Sequence, residues 1–100
     1  MNILTPHELA EKRLVLAAAY ASLSERLGGI LSLRAQEWPE LRKKTTSDSQ
    51  ANHLWQRSEI GVEEMTIRLR LRSVDKEFGA IKPMLEVLHG EAETSYNAQN

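Results

Sequence analysis

Two apolar stripes with the same spacing constrain the fold of this 100-residue chain more than any other feature. Each stripe repeats every seven residues, with further apolar residues four positions after its members. The first stripe consists of Leu9, Leu16, Leu23 and Ile30, with Tyr20 and Leu27; the second consists of Ile67, Val74, Ile81 and Leu88, with Leu71, Phe78 and Leu85. These spacings keep side chains on one face of an α-helix. The sequence therefore predicts two long helices whose apolar faces must be covered.

Capping patterns predict where the helices begin. Thr5 and Glu8 are spaced as a capping box, with Pro6 at the first helical position. Ser47 and Gln50 offer a second box, which predicts a short helix that contains Trp55 and ends at residues 57–58. A third helix is expected to begin at residue 58 or 59.

Prolines and glycines predict where the helices end or deviate. The residue before a proline is pushed out of the helical region, so Trp38-Pro39 predicts that the first helix ends near Glu37. Gly28-Gly29 predicts a bend or a close packing point. Pro83 predicts a kink in the third helix and His89-Gly90 its end, and the polar residues 91–100 are expected to form a flexible tail.

One segment conflicts with this helical pattern. Residues 67–72 alternate strictly between aliphatic side chains and arginine, which is typical of a half-buried strand. Glu63-Glu64 before the segment and the long stripe after it favour a helix. The predicted fold is all-α: a single helical domain over residues 1–90, built as an antiparallel helical hairpin of two long helices with a short third helix.

The composition excludes several classes of function. Thirteen basic residues against fourteen acidic ones give a formal net charge of −1, which argues against a general phosphate-neutralising protein. The absence of cysteine excludes a disulfide framework, a thiolate zinc site and a cysteine nucleophile. No secretory signal pattern is present, and the longest apolar region, Leu14 to Ala21, is too short to span a bilayer. A cytoplasmic protein that does not enter a membrane is expected.

The residues that usually carry chemistry do not converge in this sequence. His7, His53 and His89 lie at three different predicted helix ends, so no metal site is expected. Glu59 and Glu63 share a helical face, but paired acids do acid–base work only when burial distinguishes them, and the ordinary role of these two is favourable charge at a helix N-terminus. No nucleophile motif or phosphate-binding loop is found. We therefore expect no catalytic residue, no cofactor and no metal, and a protein that is not an enzyme.

Two kinds of side chain remain as candidates for binding. Arg68, Arg72 and Lys76 are one turn apart on the third helix, and such a row is either a solvated face paired with Glu64 and Asp75 or a contact surface for nucleic acid or an acidic protein. A second basic group spans residues 42–44. Tryptophan is common at binding hot spots and also closes small cores. We expect a core position for Trp55 and exposure for Trp38.

Several short segments resemble small accessory proteins of bacteriophages. They are residues 47–51 with Trp55, residues 61–64, and residues 73–76 of the arginine-rich helix, so that the resemblance covers roughly residues 38–88. In size and helical character the chain resembles phage-encoded anti-CRISPR proteins, specifically the type I-F group. The resemblance implies inhibition by binding the host's multi-subunit CRISPR surveillance complex, which blocks its access to target DNA.

The resemblance also implies candidate contact residues. Such inhibitors set acidic side chains against basic residues that hold DNA; here these are Asp48, Glu59, Glu63 and Glu64. The near-neutral net charge departs from a strongly acidic DNA mimic, so occlusion by shape or mixed charge is an equal alternative. The full set of expected partner-binding residues is Trp38, Asp48, Glu59, Glu63, Glu64, Arg68 and Arg72.

Two alternatives to a phage-derived protein inhibitor stay open. One is a nucleic-acid-binding accessory protein that uses the Arg68, Arg72 and Lys76 face together with residues 42–44. The other is a homodimer formed through apolar residues that the monomer leaves uncovered.

Overall fold

The computed structural model describes residues 4–99 of the chain, and the side chains of residues 4–88. These residues form three α-helices: α1 (Pro6–Lys43), α2 (Asp48–Arg57) and α3 (Glu59–Gln99). No strand is present between residues 4 and 99, and the alternating segment 67–72 is helical. The all-α prediction is therefore confirmed.

The predicted helix starts are confirmed by their capping contacts. The Glu8 amide donates to the Thr5 hydroxyl over 3.2 Å, and the Glu8 carboxylate accepts from the Thr5 amide over 3.4 Å. At α2 the Gln50 amide donates to the Ser47 hydroxyl over 3.2 Å. The return contact differs from a standard capping box, because the Gln50 side-chain oxygen accepts from the amide and hydroxyl of Thr46.

The predicted ends of the long helices are wrong. α1 continues through Pro39 to Lys43, six residues beyond the predicted end at Glu37, and α3 continues past Gly90 to Gln99. For α1 a tertiary contact supplies the physical reason. Leu41, which the last turn carries, packs against the core cluster, and its burial offsets the backbone hydrogen bond that Pro39 removes.

The chain divides into two compact units. The first contains the described residues of the ranges 1–20 and 73–100. Its buried side chains come from both predicted stripes: Leu9, Leu16, Val74 and Ile81. Tyr20, expected on the same face, is 42% exposed.

The second unit, residues 21–72, contains α2 and the adjoining parts of α1 and α3. Its core is a cluster of Ile30, Trp55 and Ile67, one residue from each helix. Five half-buried hydrophobic side chains pack against this cluster: Leu23, Leu27, Leu41, Ile60 and Leu71. Trp55 is only 2% exposed, so its predicted core position is confirmed.

The glycines differ in how much space surrounds their backbone. A Cβ added at Gly28 or Gly29 would meet nothing within 4 Å, so the close packing expected there is not found. A Cβ added at Gly61 would overlap the carbonyl oxygen of Trp55. This contact occurs where Ser58 joins α2 to α3: its hydroxyl donates to the Trp55 carbonyl over 2.5 Å and accepts from the Gly61 amide over 3.1 Å. Only glycine lets the two helices turn this tightly.

α1 is long and apolar enough to cross a membrane by length and composition, with a mean hydropathy of 1.3 over 18 residues, 11% of them buried. Core helices of soluble proteins meet the same criterion. Within α1, the uncharged stretch between Arg13 and Glu25 is shorter than the roughly 20 residues of a bilayer span. Any such span would therefore contain charged side chains.

Candidate partner-binding surface

Arg34 and Glu64 link the three helices of the second unit. The Arg34 guanidinium on α1 lies 3.6 Å from the Glu64 carboxylate on α3 and donates to the side-chain oxygen of Asn52 on α2. The Glu64 side chain is only 12% exposed and also accepts from the indole N–H of Trp55 over 3.2 Å and from Arg68 over 3.3 Å. A charge this buried requires several partners, so Glu64 holds the fold together.

Arg34 also lies between two tryptophans. Its guanidinium carbon is 5.7 Å from the centre of the Trp38 ring and 5.9 Å from the centre of the Trp55 ring. Both distances are within cation–π range. Asn52 and Glu64 hold the guanidinium that lies over the Trp38 ring.

A second inter-helix ion pair joins Arg26 on α1 to Glu63 on α3. The guanidinium makes two parallel hydrogen bonds to the carboxylate, of 2.6 Å and 2.9 Å. These hydrogen bonds, aided by the opposite charge of Arg26, hold the pKa of Glu63 below its usual value. Both side chains are substantially exposed, so water and salt screen the attraction.

An open groove of about 530 Å³ lies between α1 and α2. One wall is a single face of α1, on which Leu31, Arg34, Ala35 and Trp38 recur at helical spacing. The other wall is the Asp48 and Asn52 side of α2. Asp48 forms an ion pair with Arg42, whose Nε lies 2.8 Å from Oδ1, and the Asp48 side chain remains 78% exposed. The groove thus combines an apolar wall, an aromatic ring and an accessible carboxylate.

The structure brings together only part of the predicted contact set. Trp38 and Asp48 line the same groove, although ten residues separate them in the chain. Glu63 and Glu64 are engaged by arginines within the second unit, and Arg68 is held by Glu64. Glu59 and Arg72 are exposed and lie on α3, away from the groove lining.

Of the three polar side chains that line the groove, only Asp48 was predicted from the sequence, and Arg34 and Asn52 were not. One signal was available: Leu31, Arg34 and Trp38 follow a spacing of three and four that puts them on one helical face. Asn52 follows Asp48 by one turn in the same way. No local pattern shows that these two faces are adjacent.

The histidines do not form a metal centre in the part of the chain that the structure describes. His7 is exposed and lies 3.1 Å from Glu11, and His53 is exposed on α2. The side chain of His89 lies outside the described residues. No group of three or more potential ligand side chains converges among the described residues.

Comparisons with protein-family models, curated proteins and solved structures found no match to this chain.

Proposed function

We propose that this protein works without turnover, by binding another protein through the groove between α1 and α2. The observation that carries the proposal is the pairing of Trp38 with the exposed carboxylate of Asp48 in one groove. Tryptophan is over-represented among hot-spot residues, and the guanidinium of Arg34 lies over this ring. The groove is open along its length and suits a protein segment.

The groove also specifies the chemistry of the partner. Leu31, Ala35 and Trp38 offer an apolar surface for an aliphatic or aromatic anchor. Asp48 is paired with Arg42 but its side chain is 78% exposed, so its carboxylate can also accept from a lysine or arginine of the partner. The partner segment therefore carries an apolar anchor next to a basic residue.

We propose that this partner belongs to a CRISPR-Cas surveillance complex in the cytoplasm of a bacterial host, and that the protein is a phage-derived inhibitor of anti-CRISPR type. The support is the sequence resemblance over residues 38–88 and an open groove whose exposed carboxylate, Asp48, can meet a basic residue of the partner. Because Glu63 and Glu64 are already neutralised within the chain, occlusion by the groove surface is favoured over display of an acidic patch.

The test is direct binding of the purified full chain to a purified type I-F surveillance complex. The expected affinity is micromolar or tighter, with target DNA excluded. Trp38→Ala and Asp48→Lys should each weaken binding by about tenfold or more, while Glu86→Lys, an exposed acid in the other unit, should leave it unchanged. Absence of binding contradicts the CRISPR surveillance complex as the partner. Binding by Trp38→Ala that equals that of the parent chain contradicts the groove as the binding surface.

A second candidate function, nucleic-acid binding, is favoured by a different observation. Lys44 and Arg57 line a hollow of about 310 Å³ whose lining contains no acidic side chain. Arg72 and Lys76 are also exposed, and neither forms an ion pair with a described side chain. If these basic side chains bind phosphates, the affinity for DNA falls steeply as the salt concentration rises. Arg57→Glu or Arg72→Glu then weakens DNA binding. A groove inhibitor ignores free DNA at every salt concentration.

The proposal includes an antiparallel hairpin of α1 and α3 with α2 beside it. Its support is that both predicted stripes contribute buried residues in each unit. Spin labels at Glu11 and Glu77, both exposed in the first unit, should then lie within about 20 Å of each other, given interaxial distances of about 10 Å between packed helices. A substantially longer distance contradicts the hairpin.

A further inference from the structure

A separate, exposed apolar strip lies on α3, on the side opposite the core. Val62, Met65 and Leu69 are 55%, 54% and 57% exposed. With 3.6 residues per turn their directions fall within about 60° of one another, whereas Ile67 and Leu71 point to the other side of the helix. Three large apolar side chains are thus exposed together on one short segment of α3, where a partner surface would remove them from water.

The charges beside this strip are arranged with opposite signs at its two ends. Glu59 lies one turn before Val62, and Arg70 lies directly after Leu69. Both fall on the same flank of the strip, at about 60° and 80° from Val62 around the helix. Both are exposed, and neither forms an ion pair with any side chain that the structure describes.

We propose that this face binds a second copy of the chain, with the two α3 segments antiparallel. In that arrangement like flanks face each other, so Glu59 of each copy lies opposite Arg70 of the other, and Val62 lies opposite Leu69. Met65 packs near the twofold axis. The contact is self-complementary, as a twofold dimer requires, and it forms two identical ion pairs over a shared apolar strip. A parallel arrangement places like ends together and brings no Glu59 near an Arg70.

The small size of the strip limits the strength of the dimer. Only three apolar side chains and one ion-pairing side of each copy take part, so we expect a weak dimer that forms at high protein concentration. The dimer uses neither the groove nor its lining residues, so the inference stands independently of the proposed function.

Sedimentation of the full chain from about 1 µM to about 300 µM is the test. A monomer–dimer equilibrium in this range is expected, and Leu69→Glu should weaken it at least tenfold. Val87→Glu is the matched control, because Val87 is 59% exposed on the same helix but outside the strip. A monomer at every concentration overturns the proposal, as does a dimer that is insensitive to Leu69→Glu.

A charge-reversal cycle tests the orientation and does not depend on the apolar variant. Glu59→Arg and Arg70→Glu should each weaken the dimer, and the double variant should restore it, because the pairs then form with reversed sign. Circular dichroism checks that each variant is as helical as the parent chain. Failure of the double variant to recover the dimer contradicts the antiparallel pairing.

Discussion

The Nη1 atom of Arg34 on α1 and the Oε1 atom of Glu64 on α3 lie 3.6 Å apart, and the indole N–H of Trp55 on α2 donates to that same oxygen. One carboxylate therefore connects all three helices of the second unit. The contact also bears on binding, because the same Arg34 guanidinium lies over the Trp38 ring, 5.7 Å from its centre, in the groove. Stability and the presentation of the candidate hot spot thus depend on the same group.

Replacing Glu64 by glutamine should destabilise the protein by about 1–3 kcal/mol. The charge that balances Arg34 and Arg68 is lost from a site that is largely closed to water. Urea unfolding followed by circular dichroism measures the change. Glu37→Gln, an exposed acid of the same unit with no described partner, should change stability by less than about 0.5 kcal/mol. Equal effects of the two substitutions would contradict the role of Glu64.

Alanine substitutions at glycines should have opposite effects at different positions. Gly28→Ala and Gly29→Ala should each stabilise by about 0.5–1 kcal/mol, because the helix gains propensity and the new methyl group meets nothing. Gly61→Ala should destabilise by about 1–3 kcal/mol or more, because the methyl group overlaps the Trp55 carbonyl. Thermal unfolding of the three variants gives the comparison. A stabilising Gly61→Ala would show that the turn between α2 and α3 relaxes freely.

Pro39→Ala should stabilise the protein by about 1–3 kcal/mol. Pro39 is exposed in the interior of α1, where it lacks the amide that would bond to the Ala35 carbonyl. Alanine restores this bond without removing a buried contact. Denaturant midpoints at unchanged m-value measure the gain. A loss of stability would mean that the proline ring itself supports the last turns of α1.

The ion pair of Arg26 with Glu63 should make the free energy of unfolding depend on pH in the acidic range. Its hydrogen bonds lower the pKa of Glu63 in the folded state, so the contribution is complete above the unfolded-state value of about 4.3 and is lost as the pH falls through the lower folded-state pKa. Unfolding free energies measured from pH 7 downward should therefore fall more steeply for the parent chain than for Glu63→Gln. High salt should reduce this difference, because the pair is exposed. Parallel curves for the two proteins would exclude the contribution.

The sequence predicted more of the fold than of the candidate site. The helix starts at Pro6 and Asp48 were predictable, because a cap joins residues three positions apart. The buried stripe residues were predictable for the same reason, since helical period is a property of the local chain. The end of α1 was not, because Leu41 is held by residues of the other helices.

For the site, the sequence by itself determined which residue types were present and which shared a helical face, because both follow from positions along one chain. Only the tertiary structure decided which faces met. It joined Trp38 to Asp48 in a groove and engaged Glu63 and Glu64 with arginines 37 and 30 positions earlier in the chain. A contact between distant residues is set by the burial of the whole core, and no local pattern in the sequence contains that information.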